Sequence, residues 1–187
     1  MIKADGGQPR ALTSGDSNNF VTSWSHDGRY IYFTSSRSGE MQIWRIPFAG
    51  GSPERVTRKG GECADISPDG QWIYFTKAGG TGGVWRMPVA GGEGTQLTGP
   101  IFRYNYAIAQ DGLYFMPAPA ADFLPAPAAG RTNSIHFLNF ASGATTEILQ
   151  IDKPVDLGLA VSPDGHNLLF TQIDYVGQDL MLVEDFK

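Results

Sequence analysis

The chain has only one cysteine, Cys63, among its 187 residues, which excludes an internal disulfide and every multi-cysteine metal motif. No stretch reaches the ~18 or more consecutive apolar residues of a membrane-spanning helix, so no membrane insertion is expected. Positive charge is in the minority: 14 Lys and Arg stand against 19 Asp and Glu, for a net charge of −5 and a pI near 5.1. A nucleic-acid-binding surface therefore has no bulk support. The start, Met1-Ile2-Lys3-Ala4-Asp5-Gly6-Gly7, lacks the charged-then-apolar order of a secretory signal. What is abundant is turn-forming residues. Gly (24) and Pro (12) make up about 19% of the chain, against roughly 12% in ordinary proteins. Turns at that density join short strands rather than long helices. Hydrophobic residues at 41% and aromatics at 12% supply a core and argue against disorder. The length fits one domain.

The chain repeats itself, and the repeat decides the fold. Ser25-His26-Asp27-Gly28 returns as Ser67-Pro68-Asp69-Gly70, weakly as Ala109-Gln110-Asp111-Gly112, and again as Ser162-Pro163-Asp164-Gly165; the aspartates are 42, 42 and 53 residues apart. An apolar run follows each turn: Ile31-Tyr32-Phe33-Thr34, Ile73-Tyr74-Phe75-Thr76, Leu113-Tyr114-Phe115 and Leu168-Leu169-Phe170-Thr171. A third element comes next as Ile43-Trp44-Arg45-Ile46-Pro47, Val84-Trp85-Arg86-Met87-Pro88, Ile135-His136-Phe137-Leu138 and Leu180-Met181-Leu182-Val183. Gly50-Gly51 and Gly91-Gly92 then lead to Val56-Thr57 and Leu97-Thr98. Each unit reads as four short antiparallel strands, a to d, joined by tight turns. Four-stranded units repeated about every 40 residues are the signature of an all-β propeller. Trp24, Trp44, Trp72 and Trp85 are then expected in the core between blade faces.

These residues carry a family resemblance. Trp24-Ser25-His26-Asp27-Gly28, Ile31 to Thr34, Arg37-Ser38-Gly39 and Ile43 to Pro47 resemble the WD40-like repeats of TolB-type β-propellers. Gly112 to Phe115, Phe137 to Gly143 and the ending Asp179 to Lys187 are similar to the C-terminal propeller parts of bacterial winged-helix regulator-like proteins. The resemblance implies a scaffold or sensor, and the fold alone does not fix which.

The ends are out of phase with the blades. Met1 to Thr13 match the end of strand c, the Gly-Gly turn and strand d, and the last unit stops after strand c. The expected blades are 19–58, 59–99, 100–152, and 153–187 completed by strand d from 1–18, with Pro9 to Thr13 beside Leu180 to Val183. Such sharing removes sheet edges that would otherwise aggregate. Three arrangements stay open: a small closed ring, an open arc of a longer protein, which is preferred, or a homodimer that completes the ring. The third unit also carries 18 residues between Met116 and Ile135, where the first has eight between Thr34 and Ile43. Phe123 and Leu124, at the tip of that proline-rich insertion, are candidates for a partner-binding loop.

The common chemistries are missing. No Gly-x-Ser-x-Gly elbow is present. His26 and His166 belong to turns, and His136 is expected to point outward from mid-strand; none has the spacing of a zinc site. The four turn aspartates fit a local job, bonding backbone amides, rather than a calcium loop. No catalytic residue, metal or cofactor is assigned.

A ligand would bind where the innermost strands begin. Counting back from the turn aspartates gives Asn19, Gly61, Arg103 and Asp156, followed by Phe20, Glu62, Tyr104 and Leu157. A purely structural repeat would keep one residue type there. These positions instead differ in charge and size, as a heteropolar binding surface requires, and as solvated loop starts also do. Asn19, Phe20, Glu62, Arg103, Tyr104 and Asp156, backed by Tyr106, form the candidate channel-mouth site. The reading is a non-catalytic interaction module for a protein partner or small ligand, of the sensor-like kind by resemblance. The alternatives are an accessory domain of a hydrolase or lyase, or a truncated product without its own role. The expected compartment is the cytoplasm as the chain stands. The periplasm of TolB is the alternative for a longer exported protein.

Overall fold

A computed structural model of the chain describes residues 1–2, 4–77, 82–118 and 133–174. Among them every regular element is a strand. β1 (Asn19–Trp24), β2 (Tyr30–Ser35), β3 (Gln42–Pro47) and β4 (Glu54–Arg55) form a first antiparallel sheet in chain order. β5 (Glu62–Ile66), β6 (Trp72–Thr76), β7 (Val84–Pro88) and β8 (Thr95–Gln96) repeat it. β9 (Ile101–Ile108), β10 (Gly112–Pro117), β11 (Asn133–Asn139) and β12 (Thr145–Ile151) form the third sheet, and β13 (Val155–Val161) pairs with β14 (Leu168–Gln172) in a fourth. These are the blades of an all-β propeller fragment.

Side-chain chemistry closes the first hairpin of the first, second and fourth blades. Gly28 sits at φ 70° and returns its N–H to the Ser25 carbonyl at 2.9 Å. Ser25 Oγ donates to Asp27 and accepts from the Tyr30 N–H, while Asp27 accepts from the Arg29 N–H. Ser67 and Asp69 repeat this bonding in the second blade, and Ser162 and Asp164 in the fourth. The expected local role of the aspartates is thus met at Asp27, Asp69 and Asp164. The Val-Thr and Leu-Thr endings have a job as well. Thr57 Oγ1 accepts from the Ile43 N–H and Thr98 Oγ1 from the Val84 N–H, both at 2.9 Å. The strand-d threonine thereby satisfies a buried donor at the start of strand c.

Alternation along the second strand of each sheet sends side chains to opposite neighbours. Tyr32 and Ile43 of the first sheet pack on Ala64, Ile73, Phe75 and Met87 of the second. Tyr74 and Val84 of the second meet Ile101, Leu113, Phe115 and Leu138 of the third. Met116 and Ile135 of the third, with Ile151, pack on Val155, Leu159, Leu168 and Phe170. Each such side chain contributes about 1.5–3 kcal/mol by leaving water, so stability resides between sheets rather than inside them.

One expectation is modified. Trp24 is not a core residue: it is 52% exposed and leans on Phe48, itself exposed, at 5.2 Å between ring centroids. No described element covers that face of the first sheet beyond the segment carrying Leu12. Trp44, Trp72 and Trp85 are half-buried, each beneath a cation: Arg37, Arg86 and Lys77 respectively. Leu12, from the segment expected beside Leu180 to Val183, packs against Ile31, Phe33 and Ile46 of the first sheet; Leu180 to Val183 lie outside the described residues.

Candidate functional site

Each innermost strand is irregular near its start. Register shifts fall between Phe20 and Thr22 in β1, Glu62 and Asp65 in β5, and Val155 and Leu159 in β13; β9 shifts opposite Phe115 to Pro117. Bulges bend a strand and re-aim its side chains. Cys63 and Arg103 adopt φ of 51° and 54°, a left-handed conformation that costs a non-glycine residue of order 1–3 kcal/mol. The strain lies at the segments singled out from the sequence.

The bulges bring neighbouring sheets into polar contact. Tyr104 donates its hydroxyl to the Glu62 carboxylate at 2.8 Å, from the third sheet to the second. Arg103 Nη1 reaches Asp156 Oδ1 at 2.6 Å, from the third to the fourth. Glu62 is 9% exposed, whereas the Arg103 and Asp156 side chains are 39% and 53% exposed. The first pair is therefore an ordered, part-buried contact, and the second is a rim pair worth about 0–1 kcal/mol. Asn19 Oδ1 accepts from Arg37 at 3.1 Å within the first sheet. Phe20 is half-buried at the start of β1. Tyr106 donates to the Cys63 carbonyl, with the Tyr74 carbonyl at 3.4 Å, and so ties the third sheet to the second. The structure thus joins Glu62 to Tyr104 and Arg103 to Asp156, while Asn19 bonds within its own sheet. Phe123 and Leu124 lie outside the described residues.

Sequence reasoning missed Asn105. It is 1% exposed, donates to the Asp156 carbonyl at 3.0 Å and accepts from the Gly158 N–H at 2.8 Å. An amide amid alternating aromatics (Tyr104, Asn105, Tyr106) was the available signal: a polar side chain on a strand's buried face must find partners.

Ionisation follows from this packing. Burial, then the Glu62 carboxylate, pushes the Tyr104 phenol far up, and burial does the same for Tyr106. Both remain donors at neutral pH. The Cys63 thiol is pushed up to about 12 by burial and by Glu62, so it is a thiol and not a thiolate nucleophile or ligand. Among the described residues, Ser134, His136 and Glu147 form a cluster that looks catalytic in composition. His136, expected to point outward, is half-buried at 5.7 Å from the Phe115 ring. Its Nε2 meets both Ser134 Oγ, at 2.9 Å, and Glu147 Oε2, at 3.6 Å. A relay needs serine and acid on opposite ring nitrogens; here both share one. Among the described residues no three His, Cys, Asp or Glu side chains are grouped to hold a metal. No helix among them is long and apolar enough to cross a membrane.

A family model described as TolB beta propeller domain matches residues 1–119. An uncharacterised protein of Agrobacterium fabrum is 44% identical over 73 residues, 38% of this chain and 25% of that protein. Tol-Pal system protein TolB of Francisella tularensis subsp. tularensis is 37% identical over 60 residues, 31% of this chain and 14% of that one. Among solved structures, putative TolB from Agrobacterium tumefaciens is similar with a TM-score of 0.68 at 21% identity, covering 92% of this chain and 64% of that chain. Oligogalacturonate lyase in complex with manganese gives 0.61 at 13% identity, covering 80% and 51%. Those identities carry the fold alone. The chain spans a quarter or less of the two curated relatives' length and under two thirds of either solved chain.

Proposed function

The chain belongs to the TolB β-propeller domain family, and from that premise we propose that it is a non-catalytic binding module, engaging a protein partner or small ligand where its innermost strands begin. One observation carries the reading. Four equivalent strand starts present unlike groups (an amide, an apolar ring, an acid–phenol pair and a rim ion pair) on backbone held in costly conformations at Cys63 and Arg103. Recognition of a heteropolar partner calls for such variety. In this reading Phe20 supplies apolar contact, Asn19 hydrogen bonds, and Arg103 and Asp156 exchange their mutual contact for the partner's charges. Glu62 and Tyr104 hold the floor. The module is of the sensor-like kind found at the C-terminal end of regulators. Its proposed compartment is the cytoplasm, with the periplasm the alternative.

Affinity capture from the source organism tests this with three forms of the chain: wild type, a Phe20→Ala, Arg103→Ala double variant, and an Arg29→Ala control at the opposite end. A partner retained by wild type and control but lost by the double variant is the expected result. Equal retention by all three, with unchanged folding by circular dichroism, removes the mouth from the account.

A further inference from the structure

At the end of the stack opposite the strand starts, the step between the first and second sheets is left unfilled among the described residues. The register of the middle hairpins aligns the sheets residue by residue. Tyr32 pairs with Arg45 and Tyr30 with Pro47; Tyr74 pairs with Arg86 and Trp72 with Pro88; Gly112 pairs with Asn139. The next residue is therefore Phe48, Val89 or Phe140. Each is fixed identically, by its own N–H on the carbonyl of Arg29, Gln71 or Asp111 at 2.8–2.9 Å.

Phe140 shows what this position does. It reaches back to the second sheet and stacks on Tyr74, with ring centroids 5.6 Å apart and planes 14° from parallel, and the Arg86 guanidinium lies 5.7 Å from its centroid. One step earlier the receiving side is the same: Tyr32 replaces Tyr74, and Arg45, 4.6 Å from the Tyr30 ring centroid, replaces Arg86. The plug is different, because Val89 stands where Phe140 would be. A cleft of about 860 Å³ opens there, with Tyr30, Tyr32, Arg45, Ile66, Pro88 and Val89 among its walls. That size falls within the ~300–1,000 Å³ range of ligand pockets. At its base the Tyr32 hydroxyl is buried, with the Arg45 guanidinium as its polar neighbour.

We propose that this cleft binds a planar aromatic ring, seated beside Tyr32 and Arg45 as Phe140 is seated beside Tyr74 and Arg86. The ring takes the place of the missing plug.

Nuclear magnetic resonance titration of the chain tests this, following the Val89 methyls and the Tyr32 ring. The probes are phenylacetate, N-acetylphenylalaninamide and the non-planar cyclohexylacetate. Saturable shifts are expected with the aromatic probes and roughly tenfold weaker binding with cyclohexylacetate. Val89→Phe, which supplies the plug, abolishes the shifts of the Tyr32 ring while keeping the melting temperature at or above wild type. Phe140→Val gives an independent reading, since it opens the next step and adds a second saturable site at Tyr74. Tighter binding of the blocked amino acid assigns the ring to a polypeptide side chain, and tighter binding of the free acid assigns it to a small molecule. The Phe20→Ala, Arg103→Ala variant leaves these titrations unchanged, so the two sites succeed or fail separately. Absence of saturable shifts, an equal response to cyclohexylacetate, or wild-type binding by a folded Val89→Phe chain overturns the proposal.

Discussion

Ser67 illustrates how single residues hold this molecule. It is 5% exposed, donates to Asp69, and accepts from the N–H groups of Gln71 and Trp72. Ser67→Ala strands those donors at a buried turn and is expected to cost about 1–3 kcal/mol, read as a lower urea midpoint with an unchanged slope. The same turns set the acid response. Ser25, the Arg29 N–H and the Arg29 guanidinium hold the Asp27 carboxyl well below its ordinary range; Ser67 and Ser162, with one backbone N–H each, lower Asp69 and Asp164. A depressed folded-state value means that the stabilisation is complete above the ordinary carboxylate range, near pH 4, and is lost as pH falls through the folded values. Acid unfolding monitored by circular dichroism should therefore begin below about pH 4. An Asp27→Asn, Asp69→Asn, Asp164→Asn triple variant should show a flatter dependence there.

At the scale of elements, the sequence made the hairpins legible because each needs a fixed local chemistry. Ser-x-Asp-Gly and Gly-Gly are read from neighbours in the chain, and the β2 and β6 runs are buried on both faces as their composition implies. What could not be read is what lies across from an element. Trp24 resembles the other tryptophans in sequence and differs in having no sheet upon it among the described residues. The exchange of aromatic for glycine at Gly112 is likewise explained only by pairing. Phe137 occupies the room that Tyr30 or Trp72 fills in other blades, packing on Tyr114 at 4.7 Å between centroids. A Cβ at Gly112 would collide with the Phe137 ring and stand 2.6 Å from the Leu138 carbonyl oxygen. Gly112→Ala is expected to cost about 1–3 kcal/mol or more. Leu113→Ala, at a fully buried position of the second interface, should cost about 2–5 kcal/mol. Thermal melts separate both from wild type.

At the scale of the whole molecule, sheets stacked face to face leave something at each end of the stack. Leu169 is the counterpart of Tyr32 and Tyr74, five residues after its turn aspartate, yet it is 73% exposed, with Leu157 at 47% beside it in the same hairpin. Exposed apolar surface of this kind favours association. Light scattering is expected to show mass rising from 20.2 kDa towards a dimer with concentration, and Leu169→Glu should hold the chain at monomer mass. The candidate site belongs to this scale too. Glu62, Arg103, Tyr104 and Asp156 were recognisable as a varied set in phase with the repeat, but their pairing across sheets depends on bulges that no spacing announces. The most direct measurement of the central claim is hydrogen exchange of the chain with and without its captured partner. Protection confined to the backbone around 19–20, 62–63, 103–106 and 156–158 is the predicted result. Protection at the Ser-x-Asp-Gly turns or along the outer strands, with those four segments unchanged, would contradict it.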